Sequence, residues 1–250
     1  MKVFSSAGHL ARVFHPDHWF LPATLAFCAC FVELICIIGL FHTFTAVITG
    51  SFVMLFVNMV DRPSYLPVNI TVITAYLFMS FVWYAVISKL KRRGAVSLRN
   101  LFVLEAALIA AFMMFAGLSV PFSGPAALQT LISVCLATSA MSLQATIMTE
   151  VLRSHGPTTF MTGKTNRLVA GLYDGWFGGK ETFPSTGAAR TAALNTGSTM
   201  AAFAAGGFAG SIAMKLFGFW ALSVPLAILL TVALSQVPQT QADAATEASH

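Results

Sequence analysis

The sequence predicts an all-α protein: a polytopic transmembrane helical bundle with about six full spans, two short broken or re-entrant segments and an inverted internal repeat. Three observations carry that reading. Apolar residues make up 57% of the 250 positions and charged residues only 9%, and the mean hydropathy is +0.78, so too few polar side chains remain to cover a water-facing surface. Six runs reach the roughly 20 apolar residues that a bilayer crossing requires. Finally, Thr45-Ala46-Val47-Ile48-Thr49-Gly50 returns 113 positions later as Thr158-Thr159-Phe160-Met161-Thr162-Gly163.

Along the chain, residues 1–19 form an N-terminal segment with Lys2, Arg12 and three histidines. They lack the short apolar core followed by small residues that marks a cleavable signal, so the first span is expected to direct insertion. The full spans are read at Leu21–Leu40, Pro67–Leu90, Leu101–Val120, Ala126–Met148, Thr196–Leu216 and Phe219–Val237. The segments carrying the repeated motif, Thr43–Val60 and Thr158–Tyr173, are shorter and are interrupted by Gly beside polar groups. In the fifth span Ala202, Gly206 and Gly210 recur every four residues, a small-residue stripe that signals close helix contact with an internal neighbour or a second copy. Residues 238–250 are Ala, Thr, Gln and acidic residues without apolar period and are expected to be disordered.

Basic residues discriminate between topologies, because cytoplasmic loops carry an excess of Lys and Arg. With all eight segments crossing, five basic residues face seven, and Lys164 and Arg167 lie inside a span. With six crossings, Lys2, Arg12, the cluster Lys89 to Arg99, Arg153, Lys164, Arg167, Lys180 and Arg190 share one side, and only Arg62 and Lys215 remain opposite, twelve against two. Six crossings with both termini cytoplasmic follow; a seven-span version, with the first motif segment crossing, is the alternative. Three spans per half invert the second half (126–237) relative to the first (20–120), and inverted repeats place discontinuous helices face to face near the midplane. The competing account of the Thr-Gly pairs is close helix packing.

Candidate chemistry is sparse. Glu33 lies deep in the first span with no basic residue nearby in sequence, and an ionised carboxylate there costs roughly 2.5 to 3.5 kcal/mol. It is read as a proton-responsive or cation-binding group, or else as a neutral acid bonded to a backbone carbonyl. Glu105 lies about a turn and a half inside its span, within reach of the cytoplasmic interface or of the Lys91 to Arg99 cluster. Lys164 and Arg167, with Asn166 between them, follow Thr162-Gly163. Their charge, placed at a half-helix start, suits a small anion or carboxylate, and interfacial anchoring is the plainer account. Thr49, Gly50 and Ser51 form the matching start in the first half, and Gln144 adds an amide between Ser142 and Thr146. The four cysteines are read as small buried hydrophobes. His15-Pro16-Asp17-His18 lacks further ligands for a metal, and no nucleotide, zinc-protease or serine-hydrolase motif is present.

Taken together, the two Thr-Gly motifs, the membrane acid ahead of the first and Met141-Ser142-Leu143-Gln144 ahead of the second resemble the bacterial YoaK-like membrane proteins, a family of unknown function, over about residues 20–237. That family has Met-Thr-Gly-Asn at both motifs, an Asp in the first span and Gly-Leu-Gln-Asn before the second motif. By this resemblance Glu33, sixteen positions before Thr49, stands where the family's Asp falls. Ser51 and Lys164 replace the Asn after each Thr-Gly, and Ala145 follows Gln144, which marks a divergent member.

The expected function is a small-solute transporter or channel-like permease of the bacterial inner membrane. It would be non-enzymatic, without cofactor or metal, partnered by the lipid bilayer and a small solute or ion, with a homo-oligomer as a further option, and not by nucleic acid. The competing class is a non-transporting accessory or assembly subunit.

Overall fold

A computed structural model describes residues 14, 19–152, 161–177 and 186–236, and the side chains of 174–177 and 186–193 are excluded. The chain runs α1 (Phe20–Gly39), α2 (Ile48–Asp61), a 3-10 turn (Pro63–Tyr65), α3 (Leu66–Arg92), α4 (Leu98–Ser119), α5 (Leu128–Glu150), α6 (Met161–Phe177), α7 (Thr186–Phe217), a 3-10 turn (Gly218–Leu222) and α8 (Ser223–Ser235). The described residues contain helices and turns only, as the composition requires of a chain that must satisfy its backbone inside lipid. The N-terminal segment, His15 to His18, Arg153, Thr158 to Phe160, Lys180 and the tail 238–250 lie outside the described residues, so the expectations placed on them are not addressed by it.

Five segments are long and apolar enough to cross a membrane: Phe20–Gly39, Pro63–Arg92, Leu98–Ser119, Leu128–Glu150 and Leu194–Ser235. The last has 42 residues, about 63 Å if it were one straight helix, twice the thickness of a bilayer core. It turns at Gly218, whose φ of 59° is the left-handed region that L side chains avoid. This 3-10 turn joins α7 to α8, and Phe219 within it packs edge-on against Phe112 and Phe122.

The bundle core is built from α1 and α5, the helices richest in buried residues. α1 packs along α7, α5 packs on α3 and α4, and α4 packs on α8. The short helices α2 and α6 lean on α3 and α7, respectively, and α1 also touches α5 and α8. The small-residue stripe of α7 has an internal partner: a Cβ on Gly206 would lie 2.2 Å from the Phe27 carbonyl oxygen, and one on Gly210 would lie 2.7 Å from that of Phe31. Those glycines let two backbones meet. Polar ties cross the apolar interfaces. The Trp83 indole N–H donates to the Ser139 carbonyl at 3.1 Å, and the Asn58 amide donates to Asn69 Oδ1 at 2.8 Å, fastening the end of α2 to the start of α3.

One cysteine departs from expectation. Cys28, Cys30 and Cys36 are buried, whereas Cys135 is exposed on α5. An apolar run marks immersion in the membrane, but it does not tell which face of a helix meets protein and which meets lipid.

Candidate functional site

The site is built at the turn between α1 and α2. α1 ends at Gly39, and Phe41 and His42 then take φ of 54° and 60°. Two consecutive residues in the left-handed region reverse the chain, a conformation that non-glycine residues adopt at a cost. The reversal carries residues 43–47 back alongside α1 to Glu33, six residues before Gly39, or about 9 Å along the helix axis.

There the Glu33 carboxylate, 3% exposed, is fully engaged. Its Oε2 accepts the Thr45 N–H at 2.8 Å, the Ala46 N–H at 2.8 Å and the Thr45 hydroxyl at 3.0 Å, while Oε1 accepts the Val47 N–H at 3.1 Å. Three successive amides aimed at one anion form a backbone nest, and the positive end of α2 follows it immediately. Val47, the residue preceding α2, has no side-chain cap of its own, so Glu33 supplies from another helix the acceptor oxygens that a local Asp or Ser would supply, with a negative charge besides. Four donors around a two-oxygen acceptor suit the carboxylate form.

The motif residues divide. Thr49 and Gly50 are the second and third residues of α2, and Thr162 and Gly163 hold the same places in α6. Each Thr-Gly pair therefore opens a short helix. Ser51 is buried, and its hydroxyl donates to the Phe44 carbonyl, closing the turn; Thr49 is exposed. In the second copy Thr162, Gly163, Asn166 and Arg167 are exposed, and a Cβ on Gly163 would meet nothing within 4 Å. Lys164 is half-buried on α6, which is not among the long apolar spans. Burial, with Arg167 beside it, pushes its ammonium down to about 8. The structure thus joins Glu33, Thr45 and Ser51 in one unit and leaves Lys164, Asn166 and Arg167 on a separate helix.

Gln144 belongs to neither group. It is buried, its Nε2 donates to the Leu25 carbonyl of α1 at 2.8 Å, and its Oε1 has no hydrogen-bond partner. Ser142 and Thr146 bond instead to backbone carbonyls of their own helix, those of Ser139 and Ser142.

Glu105 requires a correction. A carboxyl near the end of a span was expected to reach the interface or the Lys91 to Arg99 cluster. Instead it is 0% exposed and neither oxygen has a partner, while Lys91 pairs with Glu150 at 2.9 Å. Distance from a helix end measures depth, whereas the facing direction is set by packing, and α4 turns Glu105 inward. Thr45, which opens the first motif copy but is not among the expected site residues, bonds Glu33 through both its amide and its hydroxyl. Among the described residues no group of three metal-ligating side chains occurs.

No curated protein and no solved structure matches this sequence. A family model described as "Protein of unknown function (DUF1275)" matches residues 21–235. That match spans the whole bundle, from the α1 acid through both Thr-Gly helices to α8, and the chain is an integral membrane protein that belongs to the DUF1275 family.

Proposed function

We propose that this protein is a small-solute transporter or channel-like permease, non-enzymatic and resident in a bacterial cytoplasmic membrane. It consists of two inverted halves, residues 20–120 and 126–237, with both termini cytoplasmic. The observation that carries the reading is the reciprocity of helix packing. Exchanging the halves maps α1 on α7 to α5 on α3, α2 on α3 to α6 on α7, and α4 on α5 to α8 on α1, and each of these pairs is in contact. Such exchange is the signature of transporter scaffolds built from inverted repeats, in which short helices starting within the protein carry the binding elements. The fixed start of α2, with Thr49, Gly50 and Ser51, and the start of α6, with Thr162, Gly163, Lys164, Asn166 and Arg167, are those elements. In this scheme Glu33 is the group that holds the first of them in place, and Gln144 braces the centre.

The second reading is a non-transporting accessory or assembly subunit. One observation favours it: the four hydrogen bonds on Glu33 give the carboxylate a complete structural role. The discriminating experiment is a thermal-stability screen of purified protein over small metabolites and ions, followed by uptake of each hit into proteoliposomes. A hit that stabilises the wild type, is taken up and loses both effects in Lys164→Gln or Gly50→Leu supports the permease. Binding without uptake, or no hit among anions, carboxylates and cations, favours the accessory subunit.

A further inference from the structure

Between Asp61 and Glu105 the chain carries no acidic residue, yet Lys89, Lys91, Arg92, Arg93 and Arg99 fall together around the end of α3 and the start of α4. Lys91 is paired with Glu150 at 2.9 Å. Among the described residues the other four make no ion pair, and all four are exposed. The turn keeps them close. Gly94, with φ of 63°, and the Ala95 N–H on the Leu90 carbonyl at 3.0 Å end α3 sharply, and the Ser97 side chain then caps α4. Lys89 and Arg92 stand in the last turn of α3, Arg93 follows it, and Arg99 is the second residue of α4. At the other end of α3, by contrast, Arg62 has Asp61 beside it in sequence and lies over the Tyr65 ring at 5.7 Å.

Each helix presents an apolar stripe leading away from these cations. On α3, Phe78, Phe81, Ala85, Lys89 and Arg92 follow at intervals of three or four and are all exposed, so they share one face. On α4, Arg99, Val103, Ala107, Ala111 and Met114 do the same. α3 and α4 are joined by the short loop 93–97, yet both pack on α5 rather than along each other. From Phe78 to Lys89 the helix rises about 16 Å, close to the roughly 15 Å of hydrocarbon in one leaflet. The cations therefore stand at headgroup depth, and the apolar side chains run the length of one acyl chain.

We propose that Lys89, Arg92, Arg93 and Arg99 bind the phosphate headgroup of an anionic phospholipid whose acyl chains lie along the exposed stripes of α3 and α4. Guanidinium groups match phosphate oxygens in pairs, and clustered juxtamembrane cations attract anionic lipids. A zwitterionic headgroup brings its own cation and leaves these four without a net counter-charge. The stripes favour a lipid over free phosphate, since only a lipid covers them. The site stands apart from the permease reading, because a transporter and an accessory subunit would hold such a lipid alike.

The test is lipid retention by the full chain in a neutral detergent, supplied with equal amounts of phosphatidylglycerol and phosphatidylcholine bearing the same acyl chains and read by native mass spectrometry. Each cation near an anionic lipid strengthens binding roughly fivefold, so two or more on one headgroup give phosphatidylglycerol a preference above about fivefold, and of about 25-fold for two. The triple variant Arg92→Gln, Arg93→Gln, Arg99→Gln keeps only Lys89, and its preference falls to about fivefold or less. Arg62→Gln leaves the wild-type value unchanged. A wild-type preference no greater than one cation provides, or one that the triple variant retains, overturns the proposal. A preference that emerges only after residues 238–250 are removed also overturns it, and assigns the cations to Asp243 and Glu247 of that tail. If the triple variant does not fold, phenylglyoxal labelling of the wild-type arginines decides. Phosphatidylglycerol should then slow modification of Arg92 and Arg99 about fivefold, with Arg62 indifferent and with no such effect of phosphatidylcholine or inorganic phosphate. Equal protection by inorganic phosphate, or none by phosphatidylglycerol, overturns the proposal.

Discussion

The contact between α1 and α7 can be broken by a single methyl group. In Gly206→Ala the new Cβ would stand 2.2 Å from the Phe27 carbonyl oxygen and 2.9 Å from its Cα, both backbone atoms in the middle of α1. Neither can swing aside, so the helices must separate by at least about 0.8 Å to reach the shortest real Cβ contacts. A gap of that size forfeits a quarter to a half of each dispersion contact along the interface. Overpacking of this kind costs about 1 to 3 kcal/mol, and the gain of about 1 kcal/mol in helix propensity from Gly to Ala offsets part of the strain. The net expectation is a loss of about 1 kcal/mol, or a fall in Tm of about 2 to 4 °C for a chain of this size. Gly210→Ala, at 2.7 Å from the Phe31 oxygen, follows with a smaller loss. Gly207→Ala meets only the Cys30 and Leu34 side chains, which can rotate, and should change Tm by less than about 2 °C. Gly124→Ala meets nothing within 4 Å and provides the baseline. Unfolding followed by circular dichroism in detergent reads all four. A Gly206→Ala protein within 1 °C of wild type, by roughly the precision of a Tm measurement, or one more stable than Gly207→Ala, would refute the backbone contact.

Three further outcomes are expected. Glu33→Gln turns an amide N–H₂ toward at least one of the donors that now face Glu33 Oε1 and Oε2, and should cost about 2 to 4 kcal/mol in the same unfolding assay, with Glu33→Ala at least as damaging; an unchanged Tm would show that the nest is not held by charge. In a cysteine-free background, Arg93→Cys should react with an impermeant maleimide only from the cytoplasmic side and Arg62→Cys only from outside, since both side chains are exposed and the charge split places them oppositely; external labelling at position 93 would overturn the topology. Lys164, its ammonium pushed down to about 8, should be acylated with a rate that is half-maximal near pH 8, measured by mass spectrometry. A rate still rising steeply above pH 10, where an ordinary lysine titrates, would mean that the ammonium is solvated.

The sequence by itself determined what composition and period can determine. The apolar runs place most of the helices to within about five residues, because a bilayer admits only elements that satisfy their own backbone, whereas α7 begins at Thr186, well ahead of the run that starts at Thr196. The Thr-Gly repeat marked the starts of two short helices, α2 and α6, because small and polar residues begin helices where apolar ones continue them. Glu33 stood out as a charge in an expensive place. Tertiary structure decided which way each group faces and what it meets. Nothing in the order of residues says that the chain reverses at Phe41 and His42 and brings three amides back to Glu33, since that reversal depends on a strained turn held by distant packing. The two motif copies are alike in sequence, yet one is folded onto a buried acid and the other opens an exposed helix face. Glu105 and Cys135 exchanged their expected surroundings for the same reason. Hydropathy reports how deep a residue sits in the membrane, and only the packing of neighbouring helices decides whether it looks inward to protein or outward to lipid.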